Sequence, residues 1–249
     1  MKILKFTLSG ENAFFKRPEV NTYFYFTYNC VHKVALLGIF GAVLGYNGYN
    51  QMSKTDNYPE FYEKLKDIKL SIVPGSKTGY FPKKIQSFNN SVGYASREQG
   101  GNLIVKEQWL EKPSWDIYVQ IIDEESEKLA RAICNQRCVY VPYLGKNDHP
   151  ADIKNAFVLE GEKCGKQNFL HSLTPSDWIE LDVKGEEFEV FDFFKYEEYL
   201  PTGLDSTTHL YETVNFVYSN MGVLDVRCDV IQVQEKQNGQ NIKKNLVFF

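Results

Sequence analysis

A helix that carries three glycines constrains the fold of this chain more than any other segment. Residues 31–45 read VHKVALLGIFGAVLG, and their small residues recur at helical spacing along one face. Gly38, Gly41 and Gly45 each cost a helix roughly 1 kcal/mol relative to alanine. Close packing against a sheet would offset that cost. The segment therefore predicts a helix packed tightly on neighbouring strands, with Asn29 placed to cap its beginning.

The elements around this helix follow a split β-α-β order. Alternating apolar residues predict strands at 2–8, 67–74 and 115–122, and a fourth strand is predicted in RCVYVPYLG, residues 137–145. A short helix is predicted at 59–65. A longer one is predicted over 123–136, where acidic residues occupy the first turn and i,i+4 ion pairs follow. We therefore predict an α+β fold whose first domain, residues 1–153, is ferredoxin-like or RRM-like.

Two further segments extend this unit. An excursion at about 75–110 is rich in glycine, aromatic and basic residues, and we predict that it is an inserted β-hairpin. Residues 235–245 indicate a second hairpin around an Asn-Gly turn. We expect a small β-rich C-terminal domain over 154–249, because short strand patterns recur there in WIELDV, FEVFDFF, HLYETVNFVYS, VLDVRCDVIQV and NLVFF.

Charge is distributed unevenly along the chain. The formal net charge is −4, yet residues 1–155 hold 20 Lys and Arg against 16 Asp and Glu, a net of +4. Residues 156–249 hold 8 against 16, a net of −8. A bound nucleic acid would therefore lie on the N-terminal part. Random variation of surface charge is the alternative explanation.

Several classes of site find no support in the sequence. The five cysteines are scattered, which argues against a disulfide framework or a zinc site. There is no G-x-S-x-G, Walker A or H-E-x-x-H motif, and the four histidines are dispersed. We expect no catalytic residue, no metal and no cofactor. No segment approaches the roughly 20 apolar residues of a spanning helix, so we expect a cytoplasmic protein without a membrane partner.

Two places could bind RNA on residue chemistry alone. His32 and Lys33 occupy the first turn of the glycine-bearing helix, where free N–H groups and the helix dipole favour a phosphate. A helix start that merely faces solvent is the alternative. Residues 76–106 carry five basic side chains and the single acid Glu98, interleaved with aromatic residues that suit single-stranded RNA. A solvated hairpin without RNA is the competing interpretation.

Residues 4–45 combine a short strand ending in a Gly turn, an aromatic-basic-proline segment at 15–18, an aromatic-rich loop and a helix of the form x-A-L-L-G-x-x-G-A-x-L-G. This combination resembles the opening of the CRISPR-associated protein 5 family, particularly its type I-B branch. KPSWDIYVQI (112–121) resembles the family's third strand, and VPYLGKNDHPADI (141–153) resembles its turn before the C-terminal domain. The resemblance covers about residues 1–153.

The resemblance implies a non-catalytic RAMP-superfamily subunit of a type I-B Cascade complex, which acts in antiviral DNA interference. Such a subunit caps the 5′ handle of the crRNA and contacts the Cascade backbone subunit and the large subunit, while target DNA is read by the guide. The excursion at 75–110 would be the family's thumb. The residues expected to bind RNA are Lys16, Arg17, Tyr28, Asn29, His32, Lys33, Lys83, Lys84, Arg97, Lys146 and Asn147.

Two other functions stay open. A type I-C branch of the family cleaves repeat RNA with a Tyr, a Lys and a His, the last two adjacent on a thumb-side strand, whereas here Lys106 is followed by Glu107. A metal-independent endoribonuclease built on Tyr28, His32 and Lys33 is the alternative function. An RRM-like adaptor outside CRISPR systems is the third interpretation.

Overall fold

The computed structural model describes residues 1–20, 22–182, 193–237 and 239–249 and shows an α+β chain dominated by strands. The helices are α1 (Lys33–Leu44), α2 (Glu60–Leu65) and α3 (Glu124–Cys134). The strands are β1 (Lys2–Ser9), β2 (Asn12–Ala13), β3 (Phe24–Tyr25), β4 (Leu70–Pro74), β5 (Lys83–Asn89), β6 (Ile104–Glu111), β7 (Ser114–Gln120), β8 (Asp152–Cys164), β9 (Thr174–Pro175), β10 (Ile179–Leu181), β11 (Lys195–Leu204), β12 (Tyr211–Ser219), β13 (Val223–Val226), β14 (Val230–Gln237) and β15 (Gln240–Val247).

A six-stranded antiparallel sheet forms the centre of the molecule, in the order β15-β14-β8-β1-β7-β4. Strand β1 is central because it pairs with β7 on one side and β8 on the other, and its apolar residues Leu4, Phe6 and Leu8 are buried. The predicted strands at 2–8, 67–74 and 115–122 correspond to β1, β4 and β7, and the predicted helices correspond to α1, α2 and α3. Strand β8 runs across the predicted domain boundary at 153/154, so both parts of the chain contribute strands to this sheet.

The predicted fourth strand at 137–145 is wrong. That segment forms no strand, and only Tyr143 makes an isolated bridge, to Pro150. The backbone N–H groups of Val139 and Tyr140 instead donate to the carbonyls of Val43 and Ala42. Carbonyls in the last turn of a helix such as α1 have no donor within the helix, so these bonds satisfy them. The place beside β1 is taken by β8.

The edges of the large sheet meet near the end of the chain. Phe249, two residues beyond β15, exchanges two backbone hydrogen bonds with Leu70 of β4, at 3.2 and 3.0 Å. Leu173 N donates to Ile72 O of the same edge at 2.8 Å, and Ser172 Oγ accepts from Val247 N at 3.0 Å. These bonds satisfy backbone groups that an open sheet edge would leave exposed.

The main core lies where α1 and α3 cover the large sheet. Phe6 of β1 meets Phe40 of α1 edge to face, with ring centroids 6.2 Å apart, and both side chains are fully buried. Leu129 and Ile133 of α3 belong to the same buried cluster. The helices therefore hold the sheet from one side, and the aromatic contacts orient α1 on it.

The excursion folds as a hairpin of β5 and β6, in register from Lys83↔Leu110 to Asn89↔Ile104. Strands β2 and β3 pair with the other edge of β6, which brings the aromatic-rich loop after β1 against the hairpin. A 3-10 helix at Ala95–Arg97 lies at the hairpin's far end. The hairpin and the short strands β2 and β3 therefore form one small sheet beside the main one.

The C-terminal strand patterns are largely recovered. WIELDV contains β10, HLYETVNFVYS contains β12, VLDVRCDVIQV contains β13 and the beginning of β14, and NLVFF includes the end of β15. Strands β14 and β15 form the predicted hairpin up to Gln237↔Gln240, although Asn238 of its turn lies outside the described residues. Most of FEVFDFF also lies outside them, at 188–192. Within the described ranges, no helix has the length and apolar character needed to cross a membrane.

The glycines of α1 differ in what they permit. A Cβ on Gly41 would lie 2.5 Å from Cβ of Phe61 in α2, so this glycine allows a helix–helix approach rather than the predicted packing on a sheet. Gly45 ends α1 in the left-handed region, at φ 81°, where glycine is favoured. Nothing lies within 4 Å of the position a Cβ would take on Gly38. The N-cap residue of α1 is His32, and not Asn29 as predicted from the sequence.

Two alanine substitutions in α1 test this difference. Gly41→Ala should lower the free energy of unfolding by about 1–3 kcal/mol, because α2 must move away. Gly38→Ala should raise it by about 0.5–1 kcal/mol through helix propensity alone. Urea denaturation measures both, and equal effects from the two substitutions would contradict the proposed contact.

Candidate nucleic-acid interface

The eleven residues predicted to bind RNA occupy different environments. Tyr28, Asn29, His32 and Lys33 are buried. Arg17 and Lys83 line one cleft, while Lys84 and Lys146 lie on the opposite face of the β5–β6 hairpin. Lys16, next to the cleft, has its ammonium 4.1 Å from the ring centre of Tyr25. Arg97 lies at the hairpin's far end, and Asn147 lies in the exposed turn after β7 and α3.

Asn29 is a buried junction rather than a helix cap. Its side-chain Nδ2 donates to the carbonyl of Gly79 at 2.8 Å, and its Oδ1 accepts from the N–H of Phe81 at 3.3 Å. Its backbone N–H donates to both carboxylate oxygens of Glu198 in β11, at 3.1 and 3.0 Å. One residue therefore joins the start of α1, the base of the hairpin and the C-terminal part.

The buried side chain of His32 caps the N-terminus of α1. Its Nδ1 accepts from the N–H of Ala35 at 3.2 Å, and its ring meets those of Phe15, Tyr28 and Tyr211 at 5.2 to 5.9 Å. Only 2% of the residue is exposed. Burial lowers the pKa of His32 to about 3, so the ring is neutral at pH 7. A neutral, enclosed imidazole does not present a cation to a phosphate.

Lys33 and Tyr28 are also enclosed. Lys33 Nζ donates to the carbonyl of Phe249 at 3.4 Å, and burial, helped by nearby Lys69, lowers its pKa to about 8. Burial raises the pKa of the Tyr28 hydroxyl above its usual range, and the Arg17 guanidinium lies 5.3 Å from the Tyr28 ring centre. The first turn of α1 is therefore covered by protein, in contrast to the exposed phosphate site that the sequence indicated.

The buried imidazole predicts an acid-sensitive stability. The folded-state pKa of His32, about 3, is depressed below its ordinary 6.5, so its contribution is present above pH 6.5 and is lost as the pH falls towards 3. At pH 5 the loss is on the order of 2 kcal/mol. His32→Asn keeps a capping side chain but cannot titrate, so its unfolding free energy should fall less between pH 7 and pH 5. Parallel pH profiles for the two proteins in urea denaturation would refute this.

A cleft of about 400 Å³ opens between the 14–28 loop, the hairpin base and β11. Arg17 is positioned there because its backbone N–H donates to Phe26 O at 2.9 Å. Lys83 begins β5, and Gln108 of β6 faces the same side of the hairpin. The cleft thus gathers two cations, an exposed aromatic ring and an amide from segments distant in sequence, and it is lined by Arg17, Glu19, Val20, Phe26, Thr27, Lys83, Gln108 and Glu198.

Glu198, like Phe26 and Gln108, is a cleft residue that was not predicted from the sequence. It accepts from Asn29 N and from the hydroxyl of Tyr196. Burial raises its pKa, and these hydrogen bonds with the charges of Lys83 and Arg17 oppose that rise. Strand β11 lies in the acidic half of the chain, so no local signal placed Glu198 beside the basic hairpin. Alternation in KYEEYL, with Tyr196 and Leu200 buried, was the one available indication that Glu198 points inward.

The opposite face of the hairpin holds Lys146 in an aromatic box. Its ammonium lies 2.9 Å from Oε2 of Glu107 and 4.8 and 5.5 Å from the ring centres of Phe88 and Trp109. Trp109 Nε1 donates to the same Glu107 oxygen at 2.7 Å. Glu107 is only 6% exposed, so Lys146 balances a nearly buried carboxylate. Lys146 therefore fastens the hairpin to the 145–149 turn.

Removal of the Lys146 charge should destabilise the protein. Lys146→Met leaves Glu107 buried without its ion pair, and we expect a loss of about 2–3 kcal/mol in the free energy of unfolding. The matched variant Lys84→Met should cost about 0.5 kcal/mol or less, because Lys84 is more exposed and lies 3.9 Å from Glu111. Urea denaturation compares them, and a Lys146 variant as stable as the Lys84 variant would exclude the clamp.

Exposed aromatic side chains surround the cleft and the hairpin. Tyr23 is 83% exposed and holds φ at 62°, a left-handed conformation uncommon for a residue other than glycine. Phe26 packs on Phe24 with ring centroids 4.7 Å apart, and Tyr94 projects near the far end of the hairpin. Exposed rings beside cations are the arrangement that single-stranded nucleic acid uses for stacking.

In the described ranges, no group of three or more His, Cys, Asp or Glu side chains is placed to hold an ion, and all five cysteines are free thiols.

Neither known protein-family models nor curated protein sequences match this chain. Among solved structures, one from a CRISPR RNA-guided surveillance complex is similar over 88% of this chain and 91% of its own, with a TM-score of 0.51 and 14% identity. This likeness shows a shared fold.

Two weaker likenesses are to a CRISPR protein from Archaeoglobus fulgidus and to a chain of a type III-B Cmr-beta complex bound to cognate target RNA and AMPPnP. The first has a TM-score of 0.43 and 10% identity over 98% of this chain and 100% of its own. The second has a TM-score of 0.45 and 8% identity over 90% and 86%.

Proposed function

We propose that this chain is a non-catalytic crRNA-binding subunit of a type I-B CRISPR Cascade complex, in which it caps the 5′ handle of the crRNA. Its partners in this proposal are the crRNA, the Cascade backbone and large subunits and, through the guide, the target DNA. The complex would act in the cytoplasm. Support comes from the fold shared with a chain of an RNA-guided surveillance complex and from the resemblance of residues 1–153 to the CRISPR-associated protein 5 family.

The proposal includes a finer description of the fold. Strands β8-β1-β7-β4 are neighbours in that order, with α1 between β1 and β4 in the chain and α3 between β7 and β8. This is the order expected of a ferredoxin-like, RRM-like unit. The β5–β6 hairpin would be its inserted thumb. In this description residues 154–249 add a β-rich C-terminal part that shares β8 with the first unit.

The observation that carries the proposal is the cleft at the hairpin base. Arg17 and Lys83 supply positive charge there, and Phe26 supplies an aromatic face. Phosphate neutralisation and base stacking together are the means by which proteins hold single-stranded RNA. Arg97, an exposed cation at the far end of the hairpin, would extend the contact along the hairpin, and Lys84 would add a cation on the opposite face.

Binding is favoured over cleavage by the burial of the histidine that cleavage would use. A ribonuclease built on Tyr28, His32 and Lys33 needs a base within reach of a ribose hydroxyl. His32 uses its Nδ1 to cap α1 and is enclosed by three aromatic rings. We therefore propose no catalytic role for this set, and incubation of the chain with repeat RNA should leave the RNA intact.

Assembly provides the first test. The chain is co-expressed with a CRISPR array and the other subunits of its complex, and the complex is purified through another subunit. We expect crRNA and this chain to be recovered together, and omission of the chain to reduce crRNA recovery. A complete, RNA-bound complex purified without it would overturn the capping role.

Salt dependence locates the RNA contact. Each phosphate contact on a single strand contributes about 0.7 to the slope of log K against log salt. Arg17→Ala with Lys83→Ala should therefore lower the slope by about 1–1.5 and weaken handle binding most at low salt. Lys243→Ala, an exposed charge on β15, should change neither. Fluorescence anisotropy measures the affinity and its salt slope. Equal changes in the Arg17/Lys83 double variant and in the Lys243 variant would contradict an RNA contact at the cleft.

A further inference from the structure

The carboxylate of Glu198 has hydrogen-bonding capacity that its protein partners leave open. A carboxylate offers about four acceptor positions on its two oxygens. Asn29 N reaches both oxygens, and the Tyr196 hydroxyl donates to Oε2. Oε1 therefore retains a position for one more donor. Because Glu198 lines the cleft, a bound molecule can supply that donor.

Charges in the cleft are separated rather than paired across it. Among the described residues, neither Glu198 nor Lys83 forms an ion pair within 4.0 Å, although both line the cleft. Arg17 pairs with Glu19 at 3.4 Å on the exposed rim. A ligand that fits this lining carries negative charge for Lys83 and Arg17 and a hydrogen-bond donor for Glu198.

The size and lining of the cleft suit a single nucleotide. Its volume of about 400 Å³ lies near the lower end of the roughly 300–1,000 Å³ of small-ligand sites. Phe26 exposes 38% of its surface and can stack a planar base. Gln108 adds an amide that can donate or accept.

We infer that the cleft holds one nucleotide of the bound RNA and selects a base with an exocyclic amino group. Glu198 accepts from that amino group, Phe26 stacks on the base, and Lys83 and Arg17 attract the flanking phosphates. This inference rests on the proposed RNA-binding function and adds a base preference to it. Adenine, cytosine and guanine each present an amino donor on the Watson–Crick edge, whereas uracil carries carbonyl oxygens at both exocyclic positions of that edge and would bring an acceptor next to the carboxylate.

The test uses the full chain and labelled single-stranded RNA octamers in fluorescence anisotropy. Oligo(C) should bind about tenfold more tightly than oligo(U), because one well-placed contact to a base edge gives discrimination of that order. Octamers of N4,N4-dimethylcytidine keep the cytosine ring but lack the amino hydrogens, and they should bind as weakly as oligo(U). Oligo(U) lacks the amino donor without carrying extra methyl groups, so weak binding of both RNAs assigns the loss to the missing donor and not to the bulk of the methyl groups.

Glu198→Gln should reduce the difference between oligo(C) and oligo(U) to about twofold or less, since an amide can also donate to uracil. Glu197→Gln is the matched control, because Glu197 is exposed and pairs with Lys195 outside the cleft, and it should keep the preference. Circular dichroism checks that each variant is folded. If Glu198→Gln does not fold, the comparison of modified RNAs on the unaltered chain still decides.

The outcomes separate the two proposals. Equal binding of oligo(C), oligo(U) and the dimethylated octamer would overturn the base preference and leave RNA binding standing. Failure of the folded chain to bind any of these RNAs, alone and within its assembled complex, would overturn the proposed function together with the inference.

Discussion

The buried amide of Asn29 is the contact on which the arrangement of the candidate site depends. The Asn29 side chain bonds Gly79 and Phe81 at the hairpin base, and the Asn29 backbone N–H donates to Glu198 of β11. These hydrogen bonds offset the cost of burying the polar groups, whereas loss of any partner would leave a buried polar group without a hydrogen bond and destabilise the fold. The loop, the hairpin and the C-terminal part therefore stay in one relative position, and the cleft exists because they do.

This arrangement explains why residues that look alike in sequence have different roles. His32 and Lys33 hold the beginning of α1 from inside, and Lys146 fastens the hairpin through Glu107. Arg17 and Lys83 remain at the cleft. Under the proposed function, a basic residue near the hairpin contacts RNA directly when it is exposed at the cleft, and acts through the position of the hairpin when it is buried.

Much of the fold was predictable because it depends on local patterns. Alternating apolar residues located β1, β4 and β7, and the acidic first turn located α3. The prediction of a strand at 137–145 was wrong because the apolar alternation there resembles that of a strand, whereas the N–H groups of Val139 and Tyr140 donate to carbonyl groups at the end of α1.

The site was only partly predictable. Arg17 and Lys83, which the sequence proposed as RNA contacts, line the cleft, and their RNA contact stays a prediction. The burial of His32 depends on Tyr211, and the role of Glu198 depends on Asn29, 169 residues away. No local pattern reports contacts over such separations.

The central claim is that RNA lies along the loop, the cleft and the hairpin, and not on strands β12–β15. Photo-crosslinking within an assembled complex tests this most directly, with 4-thiouridine placed at successive positions of the crRNA 5′ handle and the crosslinked peptides identified by mass spectrometry. We predict crosslinks to peptides that contain Tyr23 and Phe26 and to those of β5 and β6. Crosslinks confined to β12–β15, or none to this chain from any handle position, would contradict the account.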